Sequence, residues 1–381
     1  RRYSTQHLFE EIETLEQEAK KAIRMMVAGG GTGGHLFPGV AVAQEIGRRF
    51  EGAEILFVTG RRKMESEVLR KAGFRQRSIS VEGMKGRGLL KGAWVAVKLP
   101  WSFLESLWIL RGFSPQLVLG VGGYSAGPVC LAARVMGVPS AIHEQNSFPG
   151  VTNRLLCRVV NRVFISFEGS RRHFSGGSIH LTGNPIRAEF VTSETRLPRN
   201  GKPFTVAAVG GSQGARAIND VFVEAMALLK NRNRSCRIIH QTGELDYERI
   251  AGLYREQGIE AEVRPFIQDM AGVYREADLV VSRAGAGAVF EMAAMGKPSL
   301  LVPYPFAANH HQEANARFLA EAGAAEMILQ ETLTGEALAD RLVNFMEDRA
   351  ALEKMGQAAK SVSKPDAAQR IADLLLEMVR P

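Results

Sequence analysis

Cysteine is scarce in this chain. Three residues in 381, Cys130, Cys157 and Cys236, give neither a CxxC pair nor a disulfide framework. A reducing compartment is the simple reading. Long apolar runs are also missing. The nearest candidate, 93–110, is broken by Lys98, Pro100 and Glu105, so no membrane-spanning helix is expected. No secretory leader is recognised, and neither GxxxxGK[ST] nor HExxH occurs, which speaks against a P-loop kinase and a zinc peptidase. The loop GGGTGGH (29–35) does not fit GxGxxG, and the next strand is followed by Arg61, Arg62 and Lys63 rather than a lone carboxylate. A dinucleotide site is therefore disfavoured.

What is present is glycine, basic charge and a strand–helix alternation. The net charge is +8 and the pI about 9.5, which suits an acidic partner such as nucleic acid, anionic lipid or a phosphorylated substrate. No nucleic-acid-binding signature accompanies the charge. At 381 residues the chain is long enough for two domains. Residues 1–24 carry Leu8, Ile12, Leu15, Ala19 and Ile23 at helical spacing, which predicts an amphipathic helical extension outside the main fold.

Buried strands are expected at 24–29, 53–60, 115–123, 139–145 and 162–167, with helices over 39–49 and 128–136. The second half restarts with strands at 203–211, 236–243, 261–267, 278–285 and 298–304, and a helix over 217–230. Such alternation implies α/β architecture with parallel sheets: two facing Rossmann-like domains with an interdomain cleft. The expected division is 1–24 extension, 25–186 first domain, 187–364 second domain, and 365–381 a C-terminal helix returning to the first.

VAGGGTGGH, VLGVGGYSAGP and AAVGGSQGARA all read as strand, glycine loop, helix. One such loop is an ordinary tight turn. Three in matching positions point to anion sites at strand carboxyl ends, where loop N–H groups meet a helix N-terminus. His35 ends the first loop, and an imidazole there suits a general base. The loop AGAG (284–287) precedes Glu291, a carboxylate placed to accept ribose hydroxyls. The polar run 143–146 (HEQN) closes an apolar strand, and four such groups would be costly if buried without partners. In the run 309–313 (NHHQE), adjacent histidines on a helix do not face one ion easily, so hydrogen bonding to a polyhydroxylated ligand is favoured over metal.

Together these motifs resemble the bacterial glycosyltransferases of family 28. The carrying stretches are GGGTGGH, VLGVGGYSAGP, IHEQN (142–146), TGNPIR (182–187), VGGSQGARAIN (209–219), 282–291 and HQEANA (311–316), in family order. The resemblance implies a GT-B fold and inverting transfer of GlcNAc from UDP-GlcNAc to the C4 hydroxyl of MurNAc in lipid I, without metal or cofactor. His35 would be the general base; from the HEQN run itself, Glu144 is either a second acid/base group or a group that orients the acceptor. Thr32, Gly33, Gly34, Tyr124 and Asn146 would line the acceptor and leaving-group side. Arg187, Ser212, Gln213, Gly214, Ile267, Ala286 and Glu291 would hold the nucleotide, and Asn219 would line the cleft. His311, Gln312 and Asn315 would serve the sugar. Gly287 and Ala288 depart from the family, which often has a bulky residue and a threonine there. The alternatives are another lipid glycosyltransferase of the same fold, a UDP-GlcNAc 2-epimerase, or a nucleotide-sugar-binding scaffold without turnover.

A lipid-linked acceptor requires a membrane surface. The segment 83–112 mixes Leu89, Leu90, Trp94, Val95, Leu99, Trp101, Leu104 and Trp108 with Lys85, Arg87, Lys91, Lys98 and Arg111, and holds every tryptophan of the chain. It reads as a peripheral patch for anionic lipid. The expected location is the cytoplasmic face of the bacterial inner membrane, with cell-wall synthesis proteins as conceivable partners.

Overall fold

The structure is a computed structural model that describes residues 23–31, 33–81, 89–192, 203–211 and 214–379; over 89–98 it describes the helical backbone alone. The predicted helix within 1–22, and the site residues Thr32, Ser212 and Gln213, lie outside the described residues.

The first sheet has seven strands: β1 (Arg24–Ala28), β2 (Glu54–Thr59), β3 (Arg75–Ser78), β4 (Leu117–Gly120), β5 (Ser140–Glu144), β6 (Arg162–Ile165) and β7 (Ser178–Leu181). The second has six: β8 (Thr205–Val209), β9 (Arg237–Gln241), β10 (Glu262–Arg264), β11 (Leu279–Ser282), β12 (Ser299–Leu301) and β13 (Ala325–Met327). Their orders are β3-β2-β1-β4-β5-β6-β7 and β10-β9-β8-β11-β12-β13, and all pairings are parallel.

Both orders reverse at their centre. The switch falls between β1 and β4 in one sheet and between β8 and β11 in the other. In open α/β sheets, ligands bind outside the carboxyl ends of strands at that place. All four glycine loops of the sequence analysis leave these four strands.

The central strands are apolar on both faces because both faces are covered. Met25 and Val27 of β1 pack with Leu36, Val40 and Ile46 of the helix Gly33–Arg49, while Met26 and Ala28 face Val118, Val129 and Ile142. Val206 and Ala208 of β8 divide from Ala207 and Val209 in the same way. The helix Ala367–Leu376 lays Ile371, Ala372 and Leu375 into the core of the first sheet, and Arg49 pairs with its Asp373.

The edge strands β3 (RQRS), β7 (SIHL) and β13 (AEM) have no counterpart in the sequence reading. Their partly exposed faces lack an apolar run. The first helix begins at Gly33, six residues earlier than expected, despite Pro38 within it. Pro38 removes only the donor that would meet the Gly34 carbonyl, beside the turn whose amides have no helical partner in any case. His35 therefore stands in the first helical turn rather than in the loop.

The loops after β1 and β4 interlock. Gly123 has φ +78°, and a Cβ there would overlap the Gly30 carbonyl oxygen. Gly122 has φ +90°, and a Cβ there would sit 2.9 Å from His35 Nδ1. Gly123→Ala is therefore expected to destabilise the chain by at least about 1–3 kcal/mol. Thermal unfolding of the variant beside wild type checks this; an unchanged melting temperature would contradict the interlocked geometry.

Candidate active site

The loop after β1 is pinned from below. Buried Glu65 accepts the Gly31 amide, and Arg62 donates to the Gly31 carbonyl. Gly33 and Gly34 open the helix, so their amides belong to the first turn, free of helical partners. His35 is half-buried. Its Nδ1 lies 2.8 Å from Gln145 Oε1, and Gly122 supports the ring. Tyr124, 40% exposed, stands in the loop beyond β4.

The HEQN cluster divides by direction. His143 and Gln145 turn toward His35: Gln145 Nε2 lies 3.0 Å from His143 Nδ1 and donates to the Val121 carbonyl at 2.9 Å. Burial pushes the His143 imidazole down to about 4, so it is neutral. Glu144 turns away, which corrects the expectation that it is a second acid or base. It is buried, and its oxygens accept from the amides of Asn146 and Gly150 and the side chain of Asn153, at 3.0, 3.1 and 2.9 Å. Those bonds engage both carboxylate oxygens and shape the 145–150 turn.

That turn meets the second half. Asn315 Nδ2 donates to Asn146 Oδ1 at 3.3 Å and to the Ala284 carbonyl at 3.2 Å, while its Oδ1 accepts the Ser147 amide at 3.0 Å. Asn315 is fully buried in this position, so it joins the two strand-end surfaces. A second bridge is Arg187. Its guanidinium lies 3.2 Å from Glu291, packs 4.7 Å over Phe190, and lies 5.1 Å over Phe37 of the first helix.

Ala286 starts the helix Ala286–Ala294 after the β11 loop, and Glu291 lies in its second turn. The Glu291 side chain is 13% exposed. Burial pushes its carboxyl up to about 7, and Arg187 opposes that shift. In the β8 loop, Gly214 has φ +77° and its amide meets the Gly211 carbonyl. Gln241, buried at the end of β9, donates to Gly211 and accepts the Ile267 amide at 2.8 Å. Only the carbonyl of Ile267 is left for a base. Asn219 is corrected as well. It is fully buried behind the loop, bonded to Thr242, Asp246 and His240, and does not line the cleft. His311 and Gln312 begin the helix His311–Glu321; His311 Nδ1 meets the Ala308 carbonyl and Gln312 accepts the Tyr304 amide. Asn309 and His310 before them both adopt φ +52°. Among the described residues, no three His, Cys, Asp or Glu side chains gather as a metal set.

Gln145, Gln241 and Glu65 were absent from the sequence-based site. The first two carry a signal: IHEQ and IIHQ each close a buried strand with a histidine and a glutamine. On the outer face of the first half, Leu99, Trp101, Leu104 and Trp108 are 53–74% exposed along the helix Leu89–Phe113. Ser102, Ser106, Leu110 and Phe113 form its buried side. No helix among the described residues is long and apolar enough to cross a membrane. The expected contributions of Lys85 and Arg87, and of the side chains of Leu89, Leu90, Lys91, Trp94, Val95 and Lys98, lie outside the described residues.

Two doubly wound parallel sheets with their switch-point loops brought together define the GT-B class of nucleotide-sugar enzymes. The N-terminal domain of glycosyltransferase family 28 matches residues 25–165 and its C-terminal domain residues 205–371, and the chain belongs to that family. It is 46% identical over 358 residues to the UDP-N-acetylglucosamine--N-acetylmuramyl-(pentapeptide) pyrophosphoryl-undecaprenol N-acetylglucosamine transferase of Syntrophus aciditrophicus, covering 94% of this chain and 99% of that one. It is 44% identical over 361 residues to the transferase of the same name in Geobacter metallireducens, with the same coverage. The crystal structure of Acinetobacter baumannii MurG is similar at 32% identity and TM-score 0.75, over 93% of this chain and 99% of that one.

The raised Glu291 carboxyl makes a testable statement about the free protein. Its folded value, about 7, lies above the ordinary 4.5, so the stability it contributes is present below 4.5 and is lost as pH rises through 7. The melting temperature of Glu291→Gln minus that of wild type is expected to increase from pH 5 to pH 8. A flat or falling difference would contradict the burial of this charge.

Proposed function

We infer that this chain transfers GlcNAc from UDP-GlcNAc to the MurNAc unit of the undecaprenyl-pyrophosphoryl-MurNAc-pentapeptide, giving lipid II and UDP for peptidoglycan synthesis. The observation that carries this is the whole-length likeness to transferases named for that reaction, 46% identical across 94% of the chain. The site geometry supports a direct displacement. The C4 hydroxyl oxygen attacks the anomeric carbon, the bond from that carbon to the diphosphate oxygen breaks, and the electron pair leaves with UDP. His35 takes the hydroxyl proton. Amides at the helix N-termini after β1, β8 and β11, with Arg187, meet the departing charge. Ionised Glu291 accepts the ribose hydroxyls, which requires Arg187 to share or release it. Asn146 and Tyr124 serve the acceptor, His311 and Gln312 serve the donor sugar, and buried Asn315 holds Asn146 in place rather than meeting the sugar itself.

The exposed Leu99, Trp101, Leu104 and Trp108 fit a peripheral seat on an anionic bilayer at the cytoplasmic face, where a lipid-linked acceptor is presented. On such a seat the enzyme would serve cell-wall growth and division, with other wall-synthesis proteins as its proposed neighbours.

UDP release from UDP-GlcNAc, with and without a soluble lipid I analogue, tests the reaction. Release is expected to depend on the acceptor and to fall by about 100-fold or more in His35→Ala with donor affinity intact. Acceptor-independent conversion of the donor would instead indicate an epimerase, and tight binding without turnover a scaffold. For the membrane seat, the triple variant Trp101→Ser, Leu104→Ser, Trp108→Ser is expected to lose at least about tenfold in affinity for anionic vesicles. Its turnover of the soluble analogue should match wild type; equal vesicle binding would remove the seat.

A further inference from the structure

A buried chain of polar groups fixes which nitrogen of His35 carries a proton. It is best followed from its far end. His143 Nε2 lies 3.2 Å from the Gly183 carbonyl and 3.2 Å from Ser166 Oγ. The Ser166 hydroxyl donates to the Glu144 carbonyl at 2.9 Å, so toward His143 it offers a lone pair. Nε2 of His143 thus faces two acceptors and must bear the hydrogen. The ring is neutral, being held in full burial, so its Nδ1 has the lone pair.

Gln145 comes next. Its amide nitrogen sits 2.9 Å from the Val121 carbonyl, 3.2 Å from the His143 carbonyl and 3.0 Å from His143 Nδ1. Three acceptors surround that end of the amide. Turning it over would set an oxygen against two carbonyl oxygens, so the orientation is determined. The other end, Oε1, can only accept, and the group 2.8 Å away is His35 Nδ1. His35 must therefore carry a proton on Nδ1, and in the neutral ring the lone pair is then on Nε2.

We propose that Gln145, backed by His143, is a positioning residue that holds His35 in the one tautomer whose Nε2 can take the acceptor's proton. This rests on His35 being the base, as inferred above. Gly122 completes the device, since any side chain there would displace the ring. The chain ends on the backbone of Gly183, between β7 and the second half. Gly183 has φ +84°, and a Cβ there would press on the Lys364 side chain at 2.6 Å. The far end of the chain is thus a backbone carbonyl, with the Lys364 side chain packed against Gly183.

Nitrogen-15 NMR of histidine-labelled protein reads the tautomer directly, with His35→Ala assigning the His35 signals by difference. In wild type, neutral His35 is expected to show a protonated Nδ1 and an unprotonated Nε2. In Gln145→Leu the preference should be lost. Its kcat should fall about tenfold to a hundredfold, with the KM for UDP-GlcNAc within about twofold. Gln145→Glu keeps an oxygen toward Nδ1 and should keep the wild-type tautomer, with a lowered melting temperature because its second oxygen meets the Val121 and His143 carbonyls. A proton on Nε2 of wild-type His35, or an unchanged kcat in Gln145→Leu, would overturn the proposal. If His35→Ala itself keeps full turnover, the base assignment fails, while the tautomer signals still decide whether Gln145 sets the ring.

Discussion

The arrangement depends on one constraint: the loops after β1 and β4 approach so closely that no side chain fits between them. Gly123 lies against the Gly30 carbonyl and Gly122 against the imidazole of His35. Because the two strands are neighbours at the switch point, their loops leave side by side and must share that space. Backbone N–H groups at the mouth are exposed to a ligand as a result, and a titratable ring is set among them at a fixed angle. A bulkier loop would fill the mouth with side chains and move the ring.

The second sheet solves the same problem with related parts. Its β8 loop is held by Gln241, as the region around β4 is held by Gln145, and each glutamine bonds a loop carbonyl through its amide nitrogen. Each also lies near a buried neutral histidine at a strand end, His143 in one half and His240 in the other. In the first half the glutamine's free oxygen reaches the imidazole of His35. In the second it reaches the backbone of Ile267. One structural device thus orients the His35 ring on one side and the Ile267 backbone on the other, the groups that the proposed reaction uses as proton acceptor and nucleobase contact. Asn315 and Arg187 then tie the two surfaces together, the first by hydrogen bonds to Asn146 and Ser147 and the second over Phe37, while Phe167 packs against Phe290 and Phe318.

Much of the fold was legible in the sequence because central strands of a doubly covered sheet are continuous apolar runs. RMMVA and TVAAV cannot be placed otherwise. The edge strands RQRS, SIHL and AEM were not legible, since one-sided exposure removes the pattern. Pro38 misled the helix start, because proline reads as a breaker while a proline near an N-terminus loses only one bond. In the site, the glycine loops announced the strand ends, but direction could not be read. HEQN shows four polar groups in a row; only the backbone geometry sends Glu144 into its own turn, Gln145 to His35 and Asn146 to Asn315. Asn219 follows a glycine loop as a ligand residue would, yet the pull of His240 and Asp246 draws it into the core.

The central claim is that the loops leaving β1, β4, β8 and β11 form one composite site divided between two substrates. Hydrogen exchange followed by mass spectrometry tests it most directly. UDP-GlcNAc alone should slow exchange at 29–37, 210–219 and 283–291, and addition of a soluble acceptor analogue should extend the protection to 120–126. Protection confined to the outer faces of the sheets, or the same loops responding to either ligand alone, would contradict that division.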